Sequence, residues 1–273
     1  HAHLLLYGNY EDATQRLTPE FYIPLDEFQR ASELIEAPRL GLSVEGSVVP
    51  IIIPDILTPR ITALTNFTLG LAYLINREHK QAETFFQSAV ESLDAEDGKD
   101  VMYLFLGTTY LLQVYDHPSK AEHNLEEARQ YFKRSIASNA DYARPYIGLG
   151  NIAYWKFILS DYTDENKLDE AIQQYEDARE KLDDDLPELI QDKIYLALGM
   201  SYLAKAQIVE QSERNNWIEK AQTAYAAVSE RVPEAHEEQE HNVITFSKHF
   251  GKGAICEIRQ DYLCATERYS ESM

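Results

Sequence analysis

The sequence is poor in several residue types and in positive charge, and each shortage excludes something. Its 273 residues include 2 cysteines, 3 methionines and 2 tryptophans, and 25 basic residues stand against 46 acidic ones. The resulting formal net charge of −21 argues against nucleic acid as a partner, because phosphates require a basic surface. It argues equally against anionic membrane surfaces. A basic protein surface is the kind of partner that such a chain attracts.

Long apolar runs are absent as well. No stretch approaches the 18 consecutive apolar residues of a membrane-spanning helix, so we expect no direct membrane insertion. No secretory signal pattern is found at the start. Because the chain opens without Met and stops inside a repeated pattern, we interpret it as a segment of a larger protein. A cytoplasmic location is favoured, and the extracytoplasmic part of a membrane-anchored protein is the alternative.

The motifs of common enzymes are missing too. The sequence contains neither the glycine-lysine phosphate-binding loop nor the Gly-x-Ser-x-Gly elbow, and its 8 histidines are scattered. Gly148–Ala153 imitates a dinucleotide-binding fingerprint, but it lies within a helical pattern with no strand before it. His236 and His241 are five residues apart, which places them about 140° apart around a helix. We therefore expect no enzyme, no catalytic residue, no cofactor and no metal.

What the sequence does contain is a signature of small and aromatic residues that recurs five times. The first four copies have an aromatic residue or Asn, Leu, Gly and usually Tyr, followed by Ala, an aromatic residue and a small residue. The fifth is visible as Gly253, Cys256, Ala265 and Tyr269. A glycine inside a helix costs about 1 kcal/mol relative to alanine, which is tolerable where a second helix must approach closely. The glycines and the alanines that open the second half are Gly70/Ala82, Gly107/Ala128, Gly150/Ala171, Gly199/Ala221 and Gly253/Ala265.

This pattern resembles the tetratricopeptide repeat, a pair of antiparallel helices that stacks on copies of itself. The resemblance implies an all-α fold, an α-solenoid in which helical hairpins form a right-handed superhelix. It places repeats near 63–96, 100–142, 143–185, 192–235 and 246–273. The predicted domains are therefore an N-terminal extension over 1–60 and a tetratricopeptide solenoid over 61–273.

The N-terminal extension has a different pattern, which we interpret as the tail of a preceding module, α/β or extended. Leu4–Tyr10 predicts a short strand, Phe21–Leu25 a second extended segment and Asp26–Ala37 a helix. Three prolines favour extended chain over Gly41–Pro59. The apolar run Val48–Leu57 should not lie in water, so we expect it to pack on the first hairpin or into the solenoid groove.

Three of the repeats carry insertions between their two halves. Tyr73 and Ala82 are nine residues apart, whereas Tyr110 and Ala128 are eighteen apart. The insertions fall within Gln113–Asn124, Phe157–Lys167 and Ala206–Asn216. They predict either longer helices with solvated tips or a second edge that contacts partners.

Both cysteines lie in the last repeat. Cys256 occupies a position where other copies have Tyr or Ala, so we expect a small buried side chain. Cys256 and Cys264 fall on the two helices of one hairpin, and the sequence leaves open whether they form a disulfide. Two cysteines do not define the redox compartment.

In the family that the pattern resembles, the first helices of the hairpins line an inner wall on which peptides or helices bind. We call the corresponding residues here the predicted wall. They are Phe67, Leu71, Leu104, Thr108, Arg144, Ile147, Asn151, Tyr154, Lys193, Leu196 and Met200, with Phe250, Ala254 and Glu257 from the last repeat. The wall is strongly apolar at its N-terminal end, so a partner or the chain itself must cover it. Arg144, Asn151 and Lys193 form its one polar, partly basic spot.

The function that this implies is a scaffold or regulatory module of a larger bacterial protein, binding a protein, peptide or helix in an apolar concave groove. One alternative is a sensory domain that holds a small ligand or peptide in a closed groove around Tyr154, Trp155 and Arg144. Another is an oligomerisation element, a homo-oligomer in which the truncated last repeat pairs with a copy of itself.

Overall fold

The computed structural model of the protein describes residues 5–11, 16–22, 44–45, 53–93, 98–182, 188–229, 238–259 and 262–271. The chain divides into two compact units. Unit 1 is His1–Tyr142 and unit 2 is Ala143–Met273.

Unit 1 opens with a small antiparallel sheet. Strand β1 (Leu5–Glu11) pairs with β2 (Arg16–Tyr22), and β3 (Val44–Glu45) pairs with the start of β2. The strand predicted over Leu4–Tyr10 corresponds to β1. The second extended segment begins at Arg16, five residues before the predicted start. The helix predicted over residues 26–37 lies outside the described residues.

After the sheet, the part of unit 1 that the structure describes forms four α-helices. They are α1 (Ile53–Ile75), α2 (His79–Glu91), α3 (Lys99–Asp116) and α4 (Ala121–Ser138), with a short 3-10 turn at Pro118–Lys120 before the last of them. Helices α1 and α2 pack as a pair, α3 and α4 pack as a second pair, and α2 contacts α3.

The prediction of extended chain up to Pro59 is wrong, because α1 already begins at Ile53. Pro54 lies in the first turn, where a backbone N–H has no partner within the helix and its loss costs nothing. Pro59 lies further inside and deprives α1 of one hydrogen bond. Residues 53–57 of the apolar run are therefore helical, and residues 48–52 lie outside the described residues.

The described residues of unit 2 form six α-helices in three pairs. They are α5 (Ala143–Leu159) with α6 (Glu165–Glu180), α7 (Glu188–Ile208) with α8 (Gln211–Ala227), and α9 (Glu238–Ile258) with α10 (Tyr262–Glu271). Helix α7 also contacts α5 and α9. The all-α class predicted for residues 61–273 is confirmed over the described part of that range.

In each pair, a glycine of the first helix packs closely against an aromatic ring of the second helix. A Cβ atom on Gly107 would lie 2.6 Å from Cε1 of Phe132, so only glycine fits opposite that ring. The same arrangement joins Gly70 to Phe86, Gly150 to Tyr175, Gly199 to Tyr225 and Gly253 to Tyr269. The space at each glycine is thus filled by the aromatic ring of the second helix. The alanine four residues before each ring is buried as well.

Each unit has an apolar core between its helices. In unit 1, the rings of Phe67, Phe86 and Phe105 lie 5.3 to 5.7 Å apart, centroid to centroid. In unit 2, a continuous core extends from Ala153 on α5 to Ile255 on α9. Because each core draws on successive hairpins, neighbouring hairpins in a unit stabilise one another.

In two hairpins, an aspartate seven residues before the signature glycine links the start of the first helix to the end of the second. The buried carboxylate of Asp192 on α7 accepts hydrogen bonds from the backbone N–H and hydroxyl of Ser229, at 2.7 and 2.6 Å. In unit 1, the carbonyl of Asp100 accepts from the Ser135 hydroxyl, and its carboxylate accepts from Asn139. These bonds fasten the end of a second helix to the start of the first.

Cys256 on α9 and Cys264 on α10 form a disulfide, with their Cα atoms 5.8 Å apart. The question that the sequence left open is thus answered in favour of the pair. The bond joins the two helices of the last hairpin close to the turn between them.

The insertions lengthen the helices of their hairpins. The connections that remain at the tips are short: residues 117–120 in the second hairpin, 160–164 in the third and 209–210 in the fourth. Leu159, Tyr162 and Ile208 are exposed at two of these tips. The insertions therefore form longer helices with solvated tips, the first of the two predicted outcomes.

Candidate protein-interaction surface

The unit 1 residues of the predicted wall are largely core residues. Phe67, Leu71 and Leu104 are buried, and Thr108 is half-buried. Phe67 packs its ring against Phe105 on α3, in the next hairpin. The apolar strip expected at this end of the wall is therefore buried, and these side chains cannot reach a partner while the core is packed.

The unit 2 residues of the predicted wall are more accessible. Ile147, Tyr154 and Leu196 are half-buried, and Met200 is 42% exposed. Leu196 and Met200 lie one turn apart and so share one face of α7. Phe250 on α9 stands three residues before its signature glycine, as Leu196 and Ile147 do, and it is 53% exposed. We call these five residues the α5–α7–α9 face.

The polar spot predicted on the wall is engaged inside the protein. The carboxamide oxygen of Asn151 accepts a hydrogen bond from the hydroxyl of Tyr175 at 2.7 Å, across the α5–α6 hairpin. Arg144 is buried, Lys193 is half-buried, and both have interactions within the protein. These residues do not form an open basic surface, so the α5–α7–α9 face is mainly apolar.

Two tyrosines of unit 2 have raised pKa values: Tyr154, which belongs to this face, and Tyr225, which is buried in the core. Burial raises the pKa of Tyr154, and interaction with Tyr162 raises it further. Burial also raises the pKa of Tyr225, with a contribution from Tyr154. Both phenols are therefore neutral at physiological pH. A Cβ on Gly251 would collide with the Tyr225 ring, so the ring lies tightly against α9.

The last hairpin adds an aromatic group that the predicted wall lacks. Phe246 is exposed and stacks on Phe250, with ring centroids 6.0 Å apart. Phe250 in turn contacts the ring of Tyr269 on α10 at 5.4 Å. The spacing of four residues between the two phenylalanines predicts that they share a helix face, and that spacing was the available signal for Phe246.

Charged groups in unit 2 join neighbouring hairpins. The buried ammonium of Lys205 on α7 lies 2.6 Å from Glu165 and 2.5 Å from Asp169, both on α6. Tyr202 on α7 donates a hydrogen bond to Glu176 on α6. These contacts hold α6 against α7. The carboxylates of Glu165, Asp169 and Glu176 are thus paired with groups of the chain itself.

Other kinds of site find no support in the part of the chain that the structure describes. There, no three histidine, cysteine, aspartate or glutamate side chains are grouped so as to hold a metal ion. Among the same residues, no helix has the combination of length and apolar character needed to cross a bilayer. Neither a family model nor a curated protein matches the chain.

Proposed function

We propose that this chain is a protein-interaction scaffold built from tetratricopeptide-type hairpins, and that it binds a partner on the α5–α7–α9 face. The single observation that carries the proposal is the exposure of Met200 and Phe250 beside the half-buried Leu196 and Tyr154. Apolar side chains on the first helices of neighbouring hairpins gain free energy when a partner removes them from water.

The partner that fits this face is a peptide or amphipathic helix with apolar anchors. Leu196 and Met200 repeat at a spacing of four residues, which suits a helix with anchors at i, i+3 and i+4. The net charge of −21 favours lysine or arginine beside those anchors, because opposite charges speed the encounter. Binding of this kind needs no catalytic group.

A displayed library of helical peptides, with apolar anchors at this spacing and flanking lysines, tests the proposal. We expect selected peptides to bind the full chain, and we expect Met200→Asp and Phe250→Asp each to weaken binding at least tenfold by fluorescence anisotropy. Leu112→Asp is the matched control, since Leu112 is similarly exposed but lies on α3 in unit 1. Binding that survives both variants, or that only the control abolishes, contradicts the proposal.

Self-association is a second candidate, favoured by the exposed Phe246 and Phe250, which adjoin the half-buried Tyr269. In that case the last hairpin buries its aromatic face against a copy of itself. Light scattering after size exclusion, over a range of concentrations, separates the two. The peptide proposal predicts a monomer, whereas the self-association candidate predicts a dimer that Phe246→Asp dissociates.

A further inference from the structure

Three buried polar atoms in unit 1 have no hydrogen-bond partner among the described residues. They are Nδ1 of His79 on α2, Nε2 of Gln113 on α3 and Nδ2 of Asn124 on α4. The side chain of His79 is 10% exposed, and Asn124 is 2% exposed. A buried polar group without a partner is costly, so each requires a physical explanation.

Contacts between α2 and α3 place His79 and Gln113 within about one turn of each other along the two helices. The Tyr110 hydroxyl donates a hydrogen bond to Glu83 at 2.6 Å, and one turn further along α2, His79 Nε2 lies 2.9 Å from a carboxylate oxygen of Asp116. Gln113 stands between Tyr110 and Asp116 on α3, one turn from each. It therefore lies on the side of α3 that faces α2, between these two contacts.

Contacts between α3 and α4 place Asn124 near the same part of α3. The ring of Phe132 packs on Gly107, and the Tyr131 ring stacks on Tyr110 with centroids 5.6 Å apart. Because α4 runs antiparallel to α3, moving two turns back from Tyr131 reaches Asn124, opposite the turn of α3 that follows Gln113. The residues His79, Gln113 and Asn124 therefore lie within about two turns of one another along the axis of α3, where α2 and α4 both pack on that helix. We call this region the α2–α3–α4 junction.

The chemistry of the three atoms defines what can satisfy them. Nε2 of His79 carries its proton toward the carboxylate of Asp116, which leaves a lone pair on Nδ1. The amide nitrogens of Gln113 and Asn124 are donors. The missing group must accept two hydrogen bonds and donate one, and it must be small enough for a packed interior.

We propose that the α2–α3–α4 junction binds one ordered water molecule. This water accepts hydrogen bonds from the side-chain amides of Gln113 and Asn124 and donates one to Nδ1 of His79. Three bonds are the usual number for a buried water in a protein. Gln113 and Asn124 are the first and last residues of the insertion in the second hairpin. The insertion therefore acts as an internal strut that joins the second hairpin to the first, through the water and through Asp116.

A crystal structure of the full chain, at a resolution where individual waters are ordered, tests the proposal directly. We expect one density peak within hydrogen-bond distance of all three atoms. Direct bonds among the three side chains, with no peak between them, overturn the proposal. A crystal soaked in bromide distinguishes an ion. An anomalous peak at the junction shows an anion bound to a protonated His79 and also overturns the water.

Oxygen-17 relaxation dispersion provides the test in solution, because it counts long-lived buried waters. Gln113→Met keeps the length of the side chain and removes the donor, and we expect one long-lived water fewer than in the unaltered chain. Gln130→Met, at an exposed position on α4, should leave the count unchanged. Asn124→Leu provides a second removal of a donor. An unchanged count in both junction variants, with the fold intact by circular dichroism, refutes the water.

Discussion

The signature glycine of each hairpin is required because an aromatic ring of the second helix lies directly against it. At Gly107, an added Cβ would lie 2.6 Å from Cε1 and 2.7 Å from Cδ1 of Phe132, both parts of a rigid, fully buried ring. The ring cannot retreat without disturbing the core around it. The helix therefore tolerates the poor helix propensity of glycine in exchange for close packing.

We predict that Gly107→Ala destabilises the chain by about 1 to 3 kcal/mol through overpacking. In a Phe132→Leu background the same change should be neutral or stabilising, by up to about 1 kcal/mol, because only the helix propensity gain is left. Urea unfolding of the four chains of this cycle measures the coupling. Equal effects of Gly107→Ala in both backgrounds would contradict the contact.

His79 is the residue from which we expect a pH dependence. Burial lowers its pKa below the ordinary 6.5, and the nearby Arg77 and His117 lower it too, although the Asp116 carboxylate acts in the opposite direction. Protonation therefore favours the unfolded chain. The stability that the neutral imidazole contributes is complete above pH 6.5 and is lost as the pH falls through the lowered folded pKa.

We predict that His79→Gln, which keeps a donor toward Asp116, reduces the loss of stability between neutral pH and about pH 5. Urea midpoints over that range provide the measurement. His123→Gln is the matched control, since His123 is exposed on α4, and it should leave the slope nearly unchanged. A slope that is identical in the His79→Gln chain would show that His79 does not titrate differently in the two states.

At the scale of elements, charged side chains fix α6 against α7. Burial alone would lower the pKa of Lys205, but hydrogen bonds to the carboxylates of Asp169 and Glu165 outweigh it, and the pKa is raised. The two carboxylates are more than half exposed, whereas the lysine side chain is 7% exposed. Water can therefore solvate the acids if the contact breaks, but it cannot solvate the ammonium.

This asymmetry predicts that the partners differ in what their removal costs. Glu165→Gln combined with Asp169→Asn leaves a buried ammonium with weakened partners and should cost about 2 to 4 kcal/mol. Lys205→Met leaves two solvated carboxylates and should cost about 1 kcal/mol or less. Urea unfolding at neutral pH compares them, and a larger loss for Lys205→Met would contradict this view of the contact.

The disulfide ties α10 to α9, so we expect its loss to act locally. Closing a loop of nine residues corresponds to about 2 to 3 kcal/mol in the chain-entropy description. Reduction should increase amide hydrogen exchange in α10 strongly, and much less in α3 and α4 of unit 1. The double variant Cys256→Ala, Cys264→Ala should exchange like the reduced chain and show no response to reductant. Uniform acceleration over all helices would contradict a local role.

The positions of the helices could be predicted from the sequence far better than the exposure of their faces. The signature glycines and alanines fall within the helices as expected, because each spacing reflects a contact inside one hairpin. The start of α1 was missed because proline in a first turn gives the same local signal as an extended segment. Exposure of Phe67 or Phe250 depends on whether a following helix covers it, and one repeat does not contain that information.

In the candidate site too, the helices were predicted correctly, but the exposure of their side chains was not. Met200 and Phe250 are exposed, whereas Phe67, Leu71 and Leu104 are buried in the core. The sequence predicted Asn151 as a polar anchor for a partner. Its side-chain oxygen instead accepts a hydrogen bond from the hydroxyl of Tyr175 on the paired helix. Contacts between residues 24 positions apart, such as this one, do not follow from helical periodicity alone.

The whole molecule carries a strong excess of one charge, 25 basic minus 46 acidic residues giving −21. Such repulsion opposes the compact state. Raising the salt concentration from about 0.01 M to about 0.15 M shortens the screening length from about 30 Å to about 8 Å. We therefore predict that Tm rises over this range, as measured by circular dichroism.

The charge-reduced variant Glu122→Gln, Glu126→Gln provides the control for this prediction. Both residues are exposed on α4, so their replacement should perturb packing little. We expect a smaller response of Tm to salt in this variant than in the unaltered chain. A Tm that falls with added salt would indicate that attractive ion pairs outweigh the net repulsion.

Tyr225 touches two glycines, Gly199 on the helix paired with its own and Gly251 on the first helix of the next hairpin. This double contact constrains how such a chain can change over evolution. A hairpin duplicated or inserted after α8 would have to bring a glycine two residues before its own signature glycine, or the Tyr225 ring would have no room. Lineages that gained or lost hairpins at this boundary should therefore have changed the ring and the second glycine together.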